Sequence, residues 1–362
     1  MAELLFEIAD RIRATGPMRF DHYVEAALYD TDHGFFARGS GAGRAGGDFL
    51  TSPEVGPLFG ALFARQLDRL WEEAGRPEQF NVVEVAAGRG ALAIAVRVAS
   101  PACAAALAYH MVERSESLRH RQAEHLVISG PDSGTDPRFY SYADIEDLPD
   151  GLDGKVDVVF ANELLDNIPF RVLERAASGW SELHVDVQAH GVEADGAAAS
   201  RVAESPPRLI EVLLPLSSED SKTGAWAESM VPDASIGQRI PVQSGAAEWL
   251  AKSLGLVRVP GGAVITIDYC RPTNELAQIN WTEWVRTYRE HGRGSSPLDD
   301  PGSQDITCDV APDQLPVRTP PGFDVSQAEW LAGLGIEELV DEGRRIWEEN
   351  SAAPDLAAIR AR

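Results

Sequence analysis

The sequence predicts an α/β fold in which a mostly parallel, Rossmann-like sheet carries helices on both faces. Three observations predict it. Val82-Val83 leads into Glu84-Val85-Ala86-Ala87-Gly88-Arg89-Gly90, and a helix-compatible run over 91–99 follows at once. Glycines let a backbone approach a ligand, and the next helix presents unpaired N–H groups. A second apolar run, 107–112, ends on Glu113, close to the ~20-residue spacing at which a strand-end carboxylate meets ribose hydroxyls. A third run, 156–160, opens into Ala161-Asn162-Glu163-Leu164-Leu165-Asp166-Asn167. Polar groups therefore crowd the carboxyl end of a strand, where open α/β sheets bind ligands.

The elements follow in order. Leu4, Leu5, Ile8 and Ile12 keep near-helical spacing, and Gly16-Pro17 ends that helix. Residues 20–29 read as a second short helix with Asp21 at its N-cap. Residues 30–52 are rich in glycine and run into a dense polar segment, GDFLTSPE over 47–54. Over 55–75, Leu58, Phe59, Leu62, Phe63, Leu67, Leu70 and Trp71 line one face of a long helix. A glycine-rich loop pinned against a firm helix suits a lid over a small-molecule site; a surface loop with no role is the plainer alternative.

After Glu113, residues 115–126 read as a helix, and Phe139-Tyr140-Ser141-Tyr142 as a third strand. Asp144 follows in a loop, where an acid meets an adenine amino group. Residues 156–160 form the fourth strand. From Arg171 the pattern changes. WSELHVDV over 180–187 alternates as a half-buried strand, 188–205 is poor in large apolar residues, and 209–215 pairs back as an extended segment. A helix over 244–254 then precedes a fifth buried strand at 263–269. Residues 171–243 are thus a β-rich insertion, a candidate substrate or partner region. The expected organisation is an N-terminal helical and lid region over 1–78, a core over 79–170 and 244–345, and that insertion. Near the end, 297–309 is acidic and turn-rich, and 327–334 and 336–349 read as helices.

Composition narrows the function. Of 362 residues 44% are hydrophobic, enough for a sizeable core. The formal net charge of −25 repels phosphate backbones and anionic membranes, so a general nucleic-acid binder is not expected. No apolar run is long enough for a transmembrane helix, and the N-terminus reads as an amphipathic helix, not a signal peptide. The three cysteines, Cys103, Cys270 and Cys308, are far apart and odd in number. They form no metal-ligand spacing and suit a reducing, cytoplasmic setting. No metal is expected, because the eight histidines are scattered. The sequence has neither GxSxG nor GxxxxGK[ST], so neither a nucleophile elbow nor P-loop phosphoryl transfer is supported.

Two ligands fit the remaining frame, a dinucleotide or S-adenosylmethionine. Gly88-Arg89-Gly90-Ala91-Leu92-Ala93 meets the dinucleotide fingerprint with alanine in its last place. Glu84, ahead of the glycines, instead points to the acid-x-G-x-G-x-G form of methyltransferases, here with Ala86 in the first glycine place. In that form the acid organises the loop and meets the amino end of the cofactor.

GDFLTSPE over 47–54, residues 84–90, VERSESLRHR over 112–121, ANELLDNIP over 161–169, Ile267-Asp268-Tyr269 and PGSQDIT over 301–307 occur in this order. Together they resemble the MidA family of class I S-adenosylmethionine-dependent methyltransferases, over roughly residues 15–340. Its members include a mitochondrial complex I assembly factor that methylates a protein arginine. One departure is Ala86, where the family has the first glycine of the turn; its methyl group crowds the ligand or stiffens the turn. The resemblance implies that Glu84, Gly88 and Gly90 cradle the methionine part, that Glu113 holds the ribose and that Asp144 lies near adenine. Asn162, Glu163 and Asp166 would face the methyl group, with Glu163 and Asp166 orienting the acceptor. Capping of the following helix is the bland alternative for that pair. Asp48 would act from the lid, with Thr51 on the cofactor. The implied function is transfer of a methyl group to a protein side chain, arginine included. A small-molecule acceptor, a non-catalytic assembly factor on the same fold and a nicotinamide-dependent oxidoreductase stay open.

Overall fold

The computed structural model describes residues 2–38, 57–129, 138–189, 206–217, 220–290, 292–316 and 322–350. Five parallel strands form the central sheet. They are β2 (Phe80–Val85), β3 (Leu107–Val112), β4 (Arg138–Tyr142), β5 (Val158–Asn162) and β10 (Ala263–Ile267), in the order β10-β5-β2-β3-β4. Val82 pairs with Val158, and Phe80 with Leu107. Each inner strand is covered on both faces, which is why β2 and β3 read as nearly unbroken apolar runs. On one face Phe80, Val82, Leu107, Tyr109, Met111 and Phe160 pack with Phe63, Leu67, Leu92 and Val96. Those last four come from helices α3 (Pro57–Glu73) and α4 (Ala91–Ala99). On the other face Val83, Val85, Val112 and Val159 meet Leu148, Leu152 and Val257.

A second, antiparallel sheet contains β6 (Arg171–Ala176), β7 (Gly179–Val187), β8 (Leu209–Pro215) and β9 (Arg239–Val242). The N-terminal segment also belongs to it. β1 (Met18–Arg19) pairs with Val185 and His184 of β7. Helices α1 (Ala2–Thr15) and α2 (Phe20–Tyr29) bury Leu4, Ile8, Phe20 and Val24 in one core with Val172, Leu183 and Val185. The N-terminal helices and the inserted strands thus share an interior. Asp21, expected as the cap of α2, lies inside the helix. Arg19 holds the N-cap position without a side-chain capping bond, and its Nε donates to Asp21 Oδ1 at 3.1 Å.

The turn-rich reading of the acidic tract holds over 297–304 and fails at its end. Asp305–Cys308 is a fully buried strand, β13, paired antiparallel with β11 (Val285–Arg289), which also pairs with β12 (Gly292–Arg293). Its acids are matched inside the protein. Asn167 Nδ2 donates to Asp305 Oδ1 at 2.9 Å, and Asp309 pairs with Arg286. The composition suggested a turn-rich tract throughout because these partners lie far away in sequence.

Gly60 lets α3 approach α4. A Cβ there would lie 2.1 Å from the Ala95 Cβ and 3.1 Å from its backbone. Alanine gains about 1 kcal/mol of helix propensity over glycine, but overpacking against backbone costs about 1–3 kcal/mol. Gly60→Ala should therefore lower the urea midpoint, and a midpoint at or above wild type would contradict this packing.

Candidate cofactor and acceptor site

A cavity of about 350 Å³ opens at the carboxyl ends of β2, β3, β4 and β5. Its floor is the turn between β2 and α4. Ala86, Gly88 and Gly90 take positive φ values of 57°, 53° and 80°. Glycine meets this demand freely, whereas Ala86 pays about 1–2 kcal/mol for it. The turn is fixed around Gly88. Its N–H donates to Glu113 Oε2 at 2.9 Å, and its carbonyl accepts from Gln122 Nε2 at 2.7 Å. Ser141 Oγ in turn donates to Gln122 Oε1 at 2.6 Å. Gln122 is wholly buried on helix α5 (Glu116–His125), so it clamps the turn from below.

Glu113 also accepts the Ser115 N–H at 2.8 Å on Oε1. Burial raises its pKa, and the two backbone N–H groups oppose the rise. Glu84 is deeper still. Burial pushes its carboxyl up to about 8, against the lowering effect of the Tyr109 hydroxyl, which donates to Oε2 at 2.8 Å. Asp144 lines the cavity beyond β4 and accepts the Glu146 N–H at 3.2 Å, capping the short turn at 145–147.

Asn162 and Glu163 leave the end of β5 into the cavity wall. Glu163 has φ 52°, its N–H donates to the Ile267 carbonyl at 2.8 Å, and its Oε1 accepts from Asn162 Nδ2 at 3.2 Å. Burial raises the Glu163 pKa. Asn162 Oδ1 is buried without a hydrogen-bond partner among the described residues.

The structure brings Glu84, Gly88, Glu113, Asp144, Asn162 and Glu163 around one cavity. Two other expected residues lie outside its lining. Gly90 heads α4, and a Cβ there would meet Met111 Sδ at 3.2 Å, so the glycine serves helix packing. Asp166 sits behind the wall, 3% exposed. Burial, then Asp268, Asp305 and Glu163, hold its pKa well above the carboxylate range. Neither Glu163 nor Asp166 caps the 165–167 turn. Asp268 does, accepting the N–H groups of Leu165 at 2.9 Å and Asp166 at 3.3 Å on Oδ2. Asp48 and Thr51 lie outside the described residues.

Tyr29 and Phe36, stacked with centroids 5.4 Å apart, form an unforeseen aromatic wall. The Arg114 guanidinium lies 4.5 Å from the Tyr29 ring and pairs with Glu25 at 2.5 Å. Trp249 closes another side. These side chains lie in ordinary amphipathic stretches, and only the tertiary fold gathers them. Ile267-Asp268-Tyr269, one of the segments that carried the family resemblance, was the only signal for Asp268.

A parallel sheet, a strand-end glycine turn and convergent carboxylates fit the S-adenosylmethionine-dependent methyltransferase class, and the comparisons separate it from the dinucleotide reading. A family model for S-adenosyl-L-methionine-dependent methyltransferases matches residues 62–317. The chain belongs to that family, the MidA family. A structure from Burkholderia thailandensis bound to S-adenosyl-homocysteine is 25% identical, with a TM-score of 0.76 over 99% of this chain and 86% of that one. The mitochondrial protein arginine methyltransferase NDUFAF7 of Danio rerio is 27% identical, over 92% of this chain and 77% of its own length. Its Drosophila melanogaster homologue is 26% identical, over 84% and 67%.

The cavity fits S-adenosylmethionine. The unpartnered Asn162 Oδ1 suits an ammonium donor, and a Cβ built on Gly88 meets no atom of the described residues within 4 Å, which leaves room for a ligand over the turn. Glu84, Glu113 and Asp144 supply acceptors for the amino and hydroxyl groups.

Two outcomes follow. Ala86→Gly should raise stability by up to about 1 kcal/mol and leave S-adenosyl-homocysteine affinity equal or tighter in calorimetry; weaker binding would show that the Ala86 methyl is a useful contact. Glu84 sets a pH dependence. Its ordinary value is 4.5 and its folded value about 8. Between them the folded protein holds the extra proton, so this group's contribution to stability falls as pH rises. The stability of Glu84→Gln relative to wild type should therefore increase from pH 5 to pH 8 in urea titrations, and parallel profiles would contradict the burial.

Proposed function

We propose that this methyltransferase acts on a protein side chain, the guanidinium of an arginine. The observation that carries the reading is Glu163, a carboxylate set in the cavity wall by a left-handed backbone and an Asn162 hydrogen bond. A guanidinium is a weak nucleophile because its lone pair is delocalised. A carboxylate bonded to it fixes its plane and draws charge away from the reacting nitrogen. S-adenosylmethionine supplies an electrophilic methyl group on a sulfonium. Glu163 orients the acceptor nitrogen in line with it and takes up the displaced proton. A buried carboxylate whose pKa is raised is the stronger base for that step. The aromatic wall of Tyr29 and Phe36 excludes water. The net charge of −25 draws a cationic acceptor toward the protein. The relatives from Danio rerio and Drosophila melanogaster, named as protein arginine methyltransferases, support the same acceptor.

A cytoplasmic location is part of the proposal and rests on cysteine usage alone; those relatives are named as mitochondrial. Among the described residues no helix is long and apolar enough to cross a membrane.

Glu163→Gln preserves shape and removes the base. It should lower kcat for methyl transfer to an arginine-containing protein by about 10²- to 10⁴-fold, with S-adenosyl-homocysteine affinity within about threefold. Radiolabelled methyl transfer checks this. Full activity in the variant, or turnover on free arginine with none on protein, would overturn the proposal.

A further inference from the structure

Trp249 sits on helix α7 (Ser244–Leu256), between the inserted sheet and the last core strand, and outside every segment that carried the family resemblance. Its placement has a local cause. Gly245, one turn earlier, lets α7 press on the 165–169 turn; a Cβ at Gly245 would lie 2.7 Å from Ile168 Cγ2. Residues four apart share a helix face, so this close approach brings Trp249 to the cavity wall. The indole packs against two apolar clusters. One also receives Ile145 and Leu164, and the other contains Leu165 and Ala246.

The indole Nε1 is buried and has no hydrogen-bond partner among the described residues. A buried donor left unpaired is destabilising, and a ligand acceptor removes that cost. Three other side-chain donors of the lining are engaged. The Tyr29 hydroxyl donates to the Asn167 carbonyl at 3.2 Å, Asn167 Nδ2 to Asp305, and Asn162 Nδ2 to Glu163. Asp144 and Ile145 line the same cavity. Asp144 can only accept when ionised, so it suits an exocyclic amine and leaves the ring nitrogens of a purine without a side-chain donor.

We propose that Trp249 is a cofactor-specificity residue, its indole N–H donating to a ring nitrogen of the adenine of S-adenosylmethionine. The inference rests on the cofactor site and is independent of which acceptor is methylated. Removing one hydrogen bond while keeping the aromatic packing should weaken binding about five- to tenfold.

The test is calorimetric binding of S-adenosyl-homocysteine, and of its 1-deaza, 3-deaza and 7-deaza analogues, to wild type and Trp249→Phe. The variant should bind the parent ligand about five- to tenfold more weakly. One analogue should show a similar loss on wild type and no further loss on the variant. Unchanged affinity in Trp249→Phe, or an effect confined to the KM of the methyl acceptor, would overturn the proposal. Should the variant not fold, indole ¹⁵N–¹H spectra of wild type decide. One indole resonance should shift with S-adenosyl-homocysteine and fail to shift with one of the analogues. Indole resonances that ignore the ligand, or that respond equally to all four compounds, would overturn it.

Discussion

The Glu113 carboxylate is the interaction on which the cofactor site depends. One oxygen takes the Gly88 N–H and the other the Ser115 N–H, so a single side chain joins the turn after β2 to the turn after β3. Both turns start from adjacent parallel strands, and the pairing of Val85 with Val112 sets their separation. Gln122 and Ser141 complete the clamp from below and extend it to β4. Buried polar groups cost stability unless they are paired, and here the pairing also shapes the site. The cavity floor is held by the same bonds that satisfy its buried atoms.

A second constraint holds the acceptor side. Asp268 accepts three backbone N–H groups, from Leu165, Asp166 and Tyr269. Asn167 reaches Asp305 and the Ile306 carbonyl on β13. The turn carrying Glu163 is thus anchored from the core sheet and from the small antiparallel sheet. Burial pushes the Asp268 carboxyl up to about 7, with Glu163 adding to the rise and its backbone partners opposing it. Acids gathered this closely are stable only where protons or internal cations offset their repulsion, and Arg286 beside Asp309 is one such cation.

Much of this was legible in the sequence where local pattern and tertiary role agree. The apolar runs at β2 and β3 are buried on both faces and read as such, and α2 covers the expected residues 20–29. Glu113 could be placed because strand, turn, helix and strand have nearly fixed lengths. The misreadings share one cause, a partner distant in sequence. Asp305 was read as part of a turn-rich tract because its partner, Asn167, lies far upstream. Met18 and Arg19 gave no strand signal because β7 supplies the ladder. Gly90, expected on the cofactor, lies outside the cavity lining, and Met111 and Gln122 would crowd a side chain there. The aromatic wall could not be foreseen because Tyr29 and Phe36 meet the strand ends only through the shared core of α2 and the inserted sheet.

A crystal structure with S-adenosyl-homocysteine bound tests the central claim most directly. The sulfur should face Glu163, with the ribose on Glu113 and the ammonium within hydrogen-bond reach of Asn162 Oδ1. A ligand lying with its sulfur turned away from Glu163, or seated outside the cavity over Gly88, would contradict the assignment of the site.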